Sequence, residues 1–185
     1  MSLIRISEAR ETAAICDNLG VESILCKADV SVDEDCRRMA DLSMENWGRI
    51  DGLVNNAARS VFANSKDLEA LDGQQFMDVY SVNVVGAYQM TRAAAPHMKA
   101  GGDGSIVNVS SISALTGAGS SIAYVASKGA LNTMTTALAR ALAPEIRVNA
   151  VLPGAFPSRW WGDGLGEEGA TALVESFSKL VPLKE

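Results

Sequence analysis

Residues 105–128 read SIVNVSSISALTGAGSSIAYVASK, an apolar run that ends in two serines, followed by a Gly-rich turn and a helical segment. The apolar run predicts a buried strand, and the helical segment predicts a long helix over 122–143. Ser111 follows the strand, while Tyr124 and Lys128 lie four residues apart near the start of the helix. Because side chains at i and i+4 share one helix face, this stretch predicts a unit that brings a hydroxyl, a phenol and an ammonium together.

The alternation of apolar runs with helical periods continues on both sides of this unit. It predicts a parallel sheet covered by helices on both faces, which is an α/β fold. The predicted strands are Leu3–Ile6, Ser23–Ala28, Ile50–Asn55, Ser105–Val109 and Arg147–Leu152. The predicted helices are Glu8–Asn18, one from a Ser31-Val-Asp-Glu34 capping box to Trp47, Gly73–Met98 with a bend before Pro96, 122–143, and Glu167–Lys179 after a Gly-rich loop. Since no repeat or linker interrupts the pattern, residues 1–185 are expected to form a single domain.

The composition argues against several classes of function. The net charge is −6 and the basic residues are scattered, whereas nucleic-acid binding needs a clustered basic face. No apolar run is long enough to span a membrane, and no secretory signal is recognisable at the start. Cys16, Cys26 and Cys36 lack the CxxC spacing of metal sites and are expected to be reduced thiols. We therefore expect a cytoplasmic protein that binds no metal, nucleic acid or membrane.

Tyr124 is the side chain best suited to acid–base chemistry, because the chain has a single histidine, His97. An ammonium about 4 Å from a phenolate stabilises the ion by roughly 4 kcal/mol at an effective dielectric of about 20. Lys128 is therefore expected to lower the pKa of Tyr124 toward neutrality, where proton transfer is efficient. Taken singly, Tyr124 and Lys128 could equally be a surface pair, and Ser111 could equally belong to a turn. Taken together and in this order, they favour a catalytic site that includes Ser111.

Five motifs follow one another along the chain: Asn55-Asn56-Ala57-Ala58, Ser81-Val-Asn83-Val-Val-Gly86, Ile106-Val-Asn-Val-Ser110-Ser111, Tyr124-Val-Ala-Ser-Lys128 and Arg147-Val-Asn-Ala-Val-Leu-Pro153-Gly154. Together they resemble the short-chain dehydrogenase/reductase family, in particular its 3-oxoacyl-carrier-protein reductases and related sugar, alcohol and steroid dehydrogenases. The resemblance implies a Rossmann-like, doubly wound parallel sheet that binds NAD or NADP. It also implies an oxidoreductase that passes hydride between the nicotinamide and a small carbonyl or alcohol substrate, assembled as a homodimer or homotetramer.

The resemblance also implies roles for the matching residues. Tyr124 would exchange the proton, while Lys128 would lower its pKa and bind the nicotinamide ribose. Ser111 would orient the carbonyl, and Asn83 would hold a water that links Lys128 to solvent. The implied cofactor contacts are Asp29, Val30, Asn56, Ala57, Tyr124, Lys128, Pro153, Gly154 and Ser158. The expected substrate contacts are Ser111, Phe156, Trp160 and Trp161.

Structural alternatives stay open for several of these residues. Asn83 could instead be a polar residue that bends its helix, and Asn56 and Ala57 could act only in stabilising the sheet. The aromatic residues near the end of the chain could simply pack that segment against the body. Leu131, Met134, Leu138 and Leu142 recur at helical spacing, which is compatible with a subunit contact or with burial against the sheet.

The chain departs from the family pattern at both ends. Family members begin with a strand and a Thr-Gly-x-x-x-Gly-x-Gly loop, whose backbone approaches the cofactor pyrophosphate. That motif is not found in the 185 residues, and the family's last helix and strand are not matched either. We therefore expect the sequence to be incomplete relative to the functional protein, with strand edges beside the missing strand left unpaired. The alternative is a non-catalytic interaction or regulatory module that has lost the phosphate-binding loop.

The choice between NAD and NADP depends on residues that follow the family's second strand. An acid there accepts the ribose 2′-hydroxyl, whereas Arg or Lys pairs with a 2′-phosphate. Arg5 and Ser7 lie near this point and no Asp follows directly, although Glu8 is a possible acid. These residues favour NADP and leave NAD open. The stretch 162–166, with three glycines, is expected to be a flexible lid rather than a phosphate-binding loop.

Overall fold

The structure, a computed structural model, describes residues 6–156 and 158–180 of the chain. Within these residues the sheet has three parallel strands in chain order: β1 (Gly52–Asn55), β2 (Gly104–Val109) and β3 (Ile146–Val151). Asn55 of β1 is in register with Asn108 of β2, so the strands end at nearly the same level. Their carboxyl ends form one edge, which is where open α/β sheets bind ligands.

Helices connect and cover the strands. They are α1 (Ile6–Asn18), α2 (Asp33–Trp47), α3 (Gly73–Tyr80), α4 (Ala87–Gly101), α5 (Ser113–Thr116), α6 (Ile122–Leu142) and α7 (Arg159–Leu180). A 3₁₀ turn, Leu68–Ala70, precedes α3, and a π-helical segment, Ser81–Gly86, joins α3 to α4. The helix α4 packs against β1 and β2, α6 packs against β3, and α2 packs on α4.

The core lies between the sheet and the pair α4 and α6. Ile106 and Ile146 of the sheet are buried against Met98 of α4, and Leu138 and Leu142 of α6 pack on the same cluster. Leu131 is also buried within the single chain. Burial against the sheet is therefore found for Leu138 and Leu142, and a subunit contact through α6 stays a prediction.

The opposite face of the sheet is exposed, and both of its edges are unpaired among the described strands. Val54 of β1 and Val151 of β3 point away from the core and are 64% and 48% exposed. No described strand pairs with β1 on the side away from β2. Among the described strands β3 likewise pairs only with β2, and the expectation that a missing strand leaves edges unpaired stays a prediction.

Two of the local predictions are wrong. The segment 23–28 is not a strand, because no described strand lies beside it and an extended segment becomes a strand only by pairing. Ser31 does not cap α2, which begins at Asp33 after Val32 without a side-chain cap. The Ser31 hydroxyl instead donates to the Asp29 carboxylate at 2.7 Å. The predicted strand Leu3–Ile6 lies outside the described residues except for its last residue, which begins α1.

The long helical stretch after Gly73 is correctly predicted but is not uniform. A capping box starts it, in which Asp72 accepts from the Gln75 N–H and the Gln75 side chain accepts from the Asp72 N–H. The π-helical segment interrupts it around Asn83, and α4 continues through Pro96 to Gly101. At the other end of the chain, α7 consists of two helical segments that meet at a kink, where Gly166 has a left-handed φ of 73°. The segment after Gly166 is the helix predicted from Glu167, whereas the segment from Arg159 is helical where a Gly-rich loop was predicted.

A buried chain of hydrogen bonds ties the sheet to the helices. The Asn55 amide donates to the Asn108 side-chain oxygen at 2.9 Å and to Thr91 of α4 at 3.3 Å. The Asn108 amide in turn donates to Thr135 of α6 at 2.9 Å. Asn108 has no exposed surface, so these bonds have no competition from water.

Replacing Asn108 by alanine is expected to lower the free energy of unfolding by about 2–3 kcal/mol, because two buried polar partners lose their hydrogen bonds. Urea unfolding followed by circular dichroism measures this change. The matched control is Asn149→Ala, an exposed asparagine on β3, which should change stability by less than about 0.5 kcal/mol. Equal effects of the two substitutions would contradict a stabilising role for the network.

Candidate active site

The carboxyl end of β2 carries the first group of the candidate site. The Ser110 N–H donates to the Val151 carbonyl at 2.8 Å and the Ile112 N–H donates to the Pro153 carbonyl at 3.1 Å. These bonds extend the β2–β3 pairing beyond the strands and hold Ser111 beside the segment that contains Pro153. Ser111 is half-buried at this edge of the sheet, as its place after a buried strand predicted.

The start of α6 presents the second group. Ser121 is fully buried, precedes the helix, and accepts a hydrogen bond from the Tyr124 N–H at 3.3 Å. Ser127 donates to the Tyr124 carbonyl at 2.7 Å. These serines fix the helical turn that carries the phenol. The sequence analysis did not single out Ser121, although a serine three residues before an N–H in the first turn is a recognised cap pattern.

Lys128 reaches from α6 to the end of β2. Its Nζ donates to the Val109 carbonyl at 2.7 Å and lies 5.6 Å from the centroid of the Tyr124 ring, over the ring face. The Ser110 hydroxyl donates to the Lys128 carbonyl at 3.2 Å. Only 2% of Lys128 is exposed. The structure thus brings Ser111, Tyr124 and Lys128 to one place, as the sequence predicted.

The electrostatics of this cluster differ from the sequence prediction. Burial raises the pKa of the Tyr124 phenol, and a hydrogen bond with Ser111 acts in the opposite direction with a smaller effect. Burial also lowers the pKa of Lys128 to about 8. The prediction that Lys128 brings the pKa of Tyr124 toward neutrality is therefore wrong for this structure. The reason is that the ammonium faces the ring and the Val109 carbonyl, and that loss of water opposes both charges.

Ser111 makes local contacts that could orient its hydroxyl. Its Oγ donates to the Ser113 Oγ at 3.0 Å and accepts from the Ser113 N–H at 3.2 Å. Ser113 begins the short helix α5 and is 9% exposed. Ser113 was not recognised from the sequence, where the Ser-x-Ser spacing gives no distinctive signal.

Asn83 connects the loop after β1 to α6. Its side-chain oxygen accepts from the Arg59 N–H at 2.7 Å, and its amide donates to the Arg59 carbonyl at 3.0 Å and to Ser127 at 2.9 Å. The residue is 1% exposed and lies in the π-helical segment. This arrangement is a structural role of the kind left open above, and the water-holding role stays a prediction.

The residues expected to contact the adenine half of a cofactor are Asp29, Val30, Asn56 and Ala57. Asp29 accepts from both the N–H and the hydroxyl of Ser31, which lower its pKa. Val30 packs on Gly86, where an added Cβ would lie 2.7 Å from Val30 Cγ2, so only glycine fits there. Asn56 and Ala57 follow β1 and are exposed.

Pro153 and Gly154 follow β3, and the Pro153 carbonyl accepts from the N–H of Ile112, next to Ser111. Gly154 is exposed, and an added Cβ there would be 3.9 Å from Ile112 Cδ1. The Ser158 carbonyl accepts from the Trp161 N–H at 3.3 Å, which places Ser158 just before α7.

Aromatic side chains cover the phenol. The Trp160 ring centroid is 5.8 Å from that of Tyr124 and 4.5 Å from that of Trp161. Phe62, which the sequence analysis missed, lies 5.1 Å from Trp160. Phe156 is 59% exposed, and its carbonyl accepts from the Trp161 indole at 3.1 Å. The structure therefore brings Trp160 and Phe62 to the site, while the Phe156 side chain is left largely in solvent.

Neither a metal site nor a membrane-spanning helix is found among the residues that the structure describes. Among them, no three His, Cys, Asp or Glu side chains are grouped in a way that could hold a metal ion. None of the described helices combines the length and apolar character needed to cross a membrane.

The parallel sheet, with serine, tyrosine and lysine gathered at its carboxyl edge, defines a Rossmann-like α/β protein. A family model described as short chain dehydrogenase matches residues 2–176, and the chain belongs to this family. The resemblance drawn from the five motifs is confirmed.

Relatives and solved structures agree with this assignment. The chain is 42% identical over 139 residues to a Streptomyces violaceoruber protein assigned as ketoacyl reductase 2 of the granaticin polyketide synthase (75% of this chain, 56% of the relative). It is 36% identical over 164 residues to an NADPH-dependent aldehyde reductase of Arabidopsis thaliana (88% of this chain, 54% of the relative). An NAD⁺-bound xylitol dehydrogenase superposes with a TM-score of 0.86 at 28% identity, over 98% of this chain and 74% of that one.

The chain spans about half the length of these two curated relatives. Their names are those of reductases, and the ketoacyl reductase agrees with the subgroup suggested by the motifs. The alternative of a non-catalytic module gains no support from them.

Proposed function

We propose that this chain belongs to an NAD(P)-dependent oxidoreductase that interconverts a carbonyl compound and its alcohol. The observation that carries the proposal is the convergence of Ser111, Tyr124 and Lys128 at the carboxyl end of β2, on a family fold whose relatives are named as reductases and dehydrogenases. In this proposal Tyr124 and Ser111 act on the substrate oxygen. Lys128 and Asn83 complete the catalytic group.

The residues at this edge fit the nicotinamide half of such a cofactor. The hydroxyls of Tyr124 and Ser111 and the ammonium of Lys128 are donors and acceptors of the kind that ribose hydroxyls and a carboxamide require. When bound, the nicotinamide supplies or accepts the hydride. Because the pKa of Lys128 is about 8, its ammonium keeps its proton at pH 7 and can donate to a ribose oxygen.

The remaining cofactor and substrate residues are part of the same proposal. The cofactor contacts are Asp29, Val30, Asn56, Ala57, Pro153, Gly154 and Ser158, together with Tyr124 and Lys128. The substrate contacts are Ser111, Phe156, Trp160 and Trp161. In the reduction direction Tyr124 gives its proton to the oxygen that becomes the alcohol, while the Ser111 hydroxyl donates a hydrogen bond to that oxygen. In the oxidation direction the same residues act in reverse.

We propose that the protein is cytoplasmic and forms a homodimer or homotetramer. Val85 and Tyr88, where the π-helical segment meets α4, are 45% and 46% exposed and offer apolar surface for a subunit contact. Sedimentation velocity of the purified protein would test this, and a monomer at micromolar concentration would contradict it.

We expect NADPH to bind severalfold more tightly than NADH, because the sequence has Arg5 near the point where the family pairs a basic residue with a 2′-phosphate. Fluorescence titration of each nucleotide into the purified protein gives the two dissociation constants. The Arg5→Ala variant should weaken NADPH binding and leave NADH binding unchanged, and Arg10→Ala, an exposed arginine in α1, is the matched control. Tighter binding of NADH would reverse the predicted preference. Failure of both nucleotides to bind at millimolar concentration, together with no oxidation of either by carbonyl compounds, would contradict the proposed function.

A further inference from the structure

Phe62, in the loop after β1, is the side chain on which the start of α7 rests. Its ring centroid is 5.1 Å from that of Trp160 and 6.3 Å from that of Trp161. Trp160 in turn lies 5.8 Å from Tyr124. The rings thus form a continuous aromatic wall, defined here as Phe62, Trp160 and Trp161, which ends at the phenol.

The backbone of α7 also touches this ring directly. A Cβ added at Gly164 would lie 2.0, 2.2 and 2.5 Å from three atoms of the Phe62 ring, distances that no side chain could keep. Glycine is therefore required at position 164 for as long as the Phe62 ring stays where it is. The two residues are about a hundred positions apart in sequence, so this contact joins two separate segments.

The loop that carries Phe62 is itself fixed to the start of α6. The Ala63 N–H donates to the Ser120 carbonyl at 2.9 Å, and the hydroxyls of Ser60 and Ser120 are 2.5 Å apart. Ser120 immediately precedes Ser121, which caps the helix of Tyr124. The position of the Phe62 ring relative to the phenol is thus set by hydrogen bonds on both sides of it.

We propose that Phe62 is a specificity-determining residue, and that the aromatic wall selects carbonyl compounds with a flat apolar ring next to the carbonyl over compact aliphatic ones. This inference rests on the proposed function of Tyr124. A ring attached to the carbonyl carbon can pack on the partly exposed faces of Trp160 and Phe62 while its oxygen faces the phenol. A short alkyl group offers too little surface to gain from the same contact.

Two methyl ketones, acetophenone and 2-butanone, test this selection in the purified protein with its preferred nicotinamide nucleotide. Phe62→Ala should lower kcat/KM for acetophenone about tenfold, mainly through KM, because one aromatic contact is lost. The same variant should change kcat/KM for 2-butanone less than about twofold, since that ketone gains little from the ring. Phe62→Leu, which keeps volume but not the ring, should fall between. Phe76→Ala, which removes a ring stacked on Tyr80 at 5.4 Å, is the matched control and should leave the ratio of the two ketones unchanged.

A double-mutant cycle tests the contact itself. Gly164→Ala should weaken acetophenone binding in the wild-type background and have little effect in the Phe62→Ala background, because the clash needs the ring. Binding is followed without turnover by tryptophan fluorescence in a Trp47→Phe background, so that the signal comes from Trp160 and Trp161. Additive effects of the two substitutions would overturn the inference.

The outcomes separate this inference from the proposed function. If the wild type reduces both ketones and Phe62→Ala lowers kcat/KM for both equally, or for neither, the specificity role is overturned and the oxidoreductase remains. If the wild type binds a nicotinamide nucleotide but reduces neither ketone, and fluorescence shows that acetophenone does not bind, the specificity role is overturned as well. If no nicotinamide nucleotide binds and no carbonyl compound is reduced, the proposed function fails, and the inference fails with it.

Discussion

Replacing Tyr124 by phenylalanine is expected to reduce kcat/KM about a thousandfold, since positioned proton transfer typically contributes between about a hundredfold and ten-thousandfold. The substitution removes only the hydroxyl. The ring contact with Trp160 and the cap from Ser121 to the backbone of residue 124 both remain. The fold should therefore be unchanged, and the loss should appear in kcat rather than in nucleotide binding.

The assay is oxidation of the preferred reduced nucleotide with a carbonyl substrate, followed by its absorbance. Circular dichroism and the urea midpoint check that the variant is folded. The matched control is Tyr88→Phe, which removes the hydroxyl of a tyrosine on α4 that is 46% exposed, and its activity should equal that of the wild type. A Tyr124→Phe variant that keeps the activity would refute the assignment of the phenol as the acid–base group.

The pKa directions bear on the direction of the reaction. Burial raises the pKa of Tyr124, so the phenol carries its proton at neutral pH. A neutral phenol is the form that gives a proton to the oxygen of a carbonyl group being reduced. In the proposed function Tyr124 can therefore act as a proton donor near pH 7.

Local patterns predicted the elements that depend on local contacts. The strand β2, the helix α6 and the i, i+4 pair of Tyr124 and Lys128 follow from the spacing of residues within one segment, and all are found. The segment 23–28 has the composition of a strand, but a strand also needs a neighbour, and composition carries no information about that neighbour. The helix after Gly166 was predicted, but the helical segment that begins at Arg159 was not, because the three glycines of 162–166 predict a loop. The aromatic contacts with Phe62 accompany this first segment.

The candidate site shows the same division. Its residue types could be identified from sequence order, but Phe62 could not, because it acts through a contact with Gly164 from a distant segment. The pKa of Lys128 could not be predicted from the sequence either. A single neighbouring group at 4 Å does not determine this pKa, because it depends on how many packed atoms exclude water. The pKa of Lys128 therefore follows from the packing of α6 on the sheet.

Because Lys128 is buried, its substitution is expected to have the second large effect, on the free energy of unfolding as well as on activity. Burial lowers the pKa of Lys128 from 10.5 to about 8, which corresponds to about 3 kcal/mol of free energy. The folded state is destabilised by this amount at pH 7, because the buried side chain stays charged there. Lys128→Met keeps the length of the side chain and removes the charge. It also removes the hydrogen bond to the Val109 carbonyl, and this loss offsets about 1 kcal/mol of the stability gained by removing the charge. We expect a net gain of about 2 kcal/mol in the free energy of unfolding at pH 7, together with a loss of most activity.

The pH dependence distinguishes this cause from better packing of methionine. Between pH 8 and 10.5 the unfolded chain binds more protons at position 128 than the folded chain, so the stability of the wild type rises with pH relative to the variant. Below pH 8 the lysine is charged in both states and the difference between the proteins is constant. The difference in the free energy of unfolding between the variant and the wild type should therefore become smaller above pH 8. Urea unfolding at pH 7, 8, 9 and 9.5 measures this difference, and Lys99→Met, at an exposed lysine, is the control. A variant that is less stable than the wild type at pH 7, with a difference that does not change up to pH 9.5, would contradict a buried ammonium. The free-energy cost of burying the Lys128 charge would then have to be offset by contacts that this structure does not contain, since only 2% of Lys128 is exposed to water.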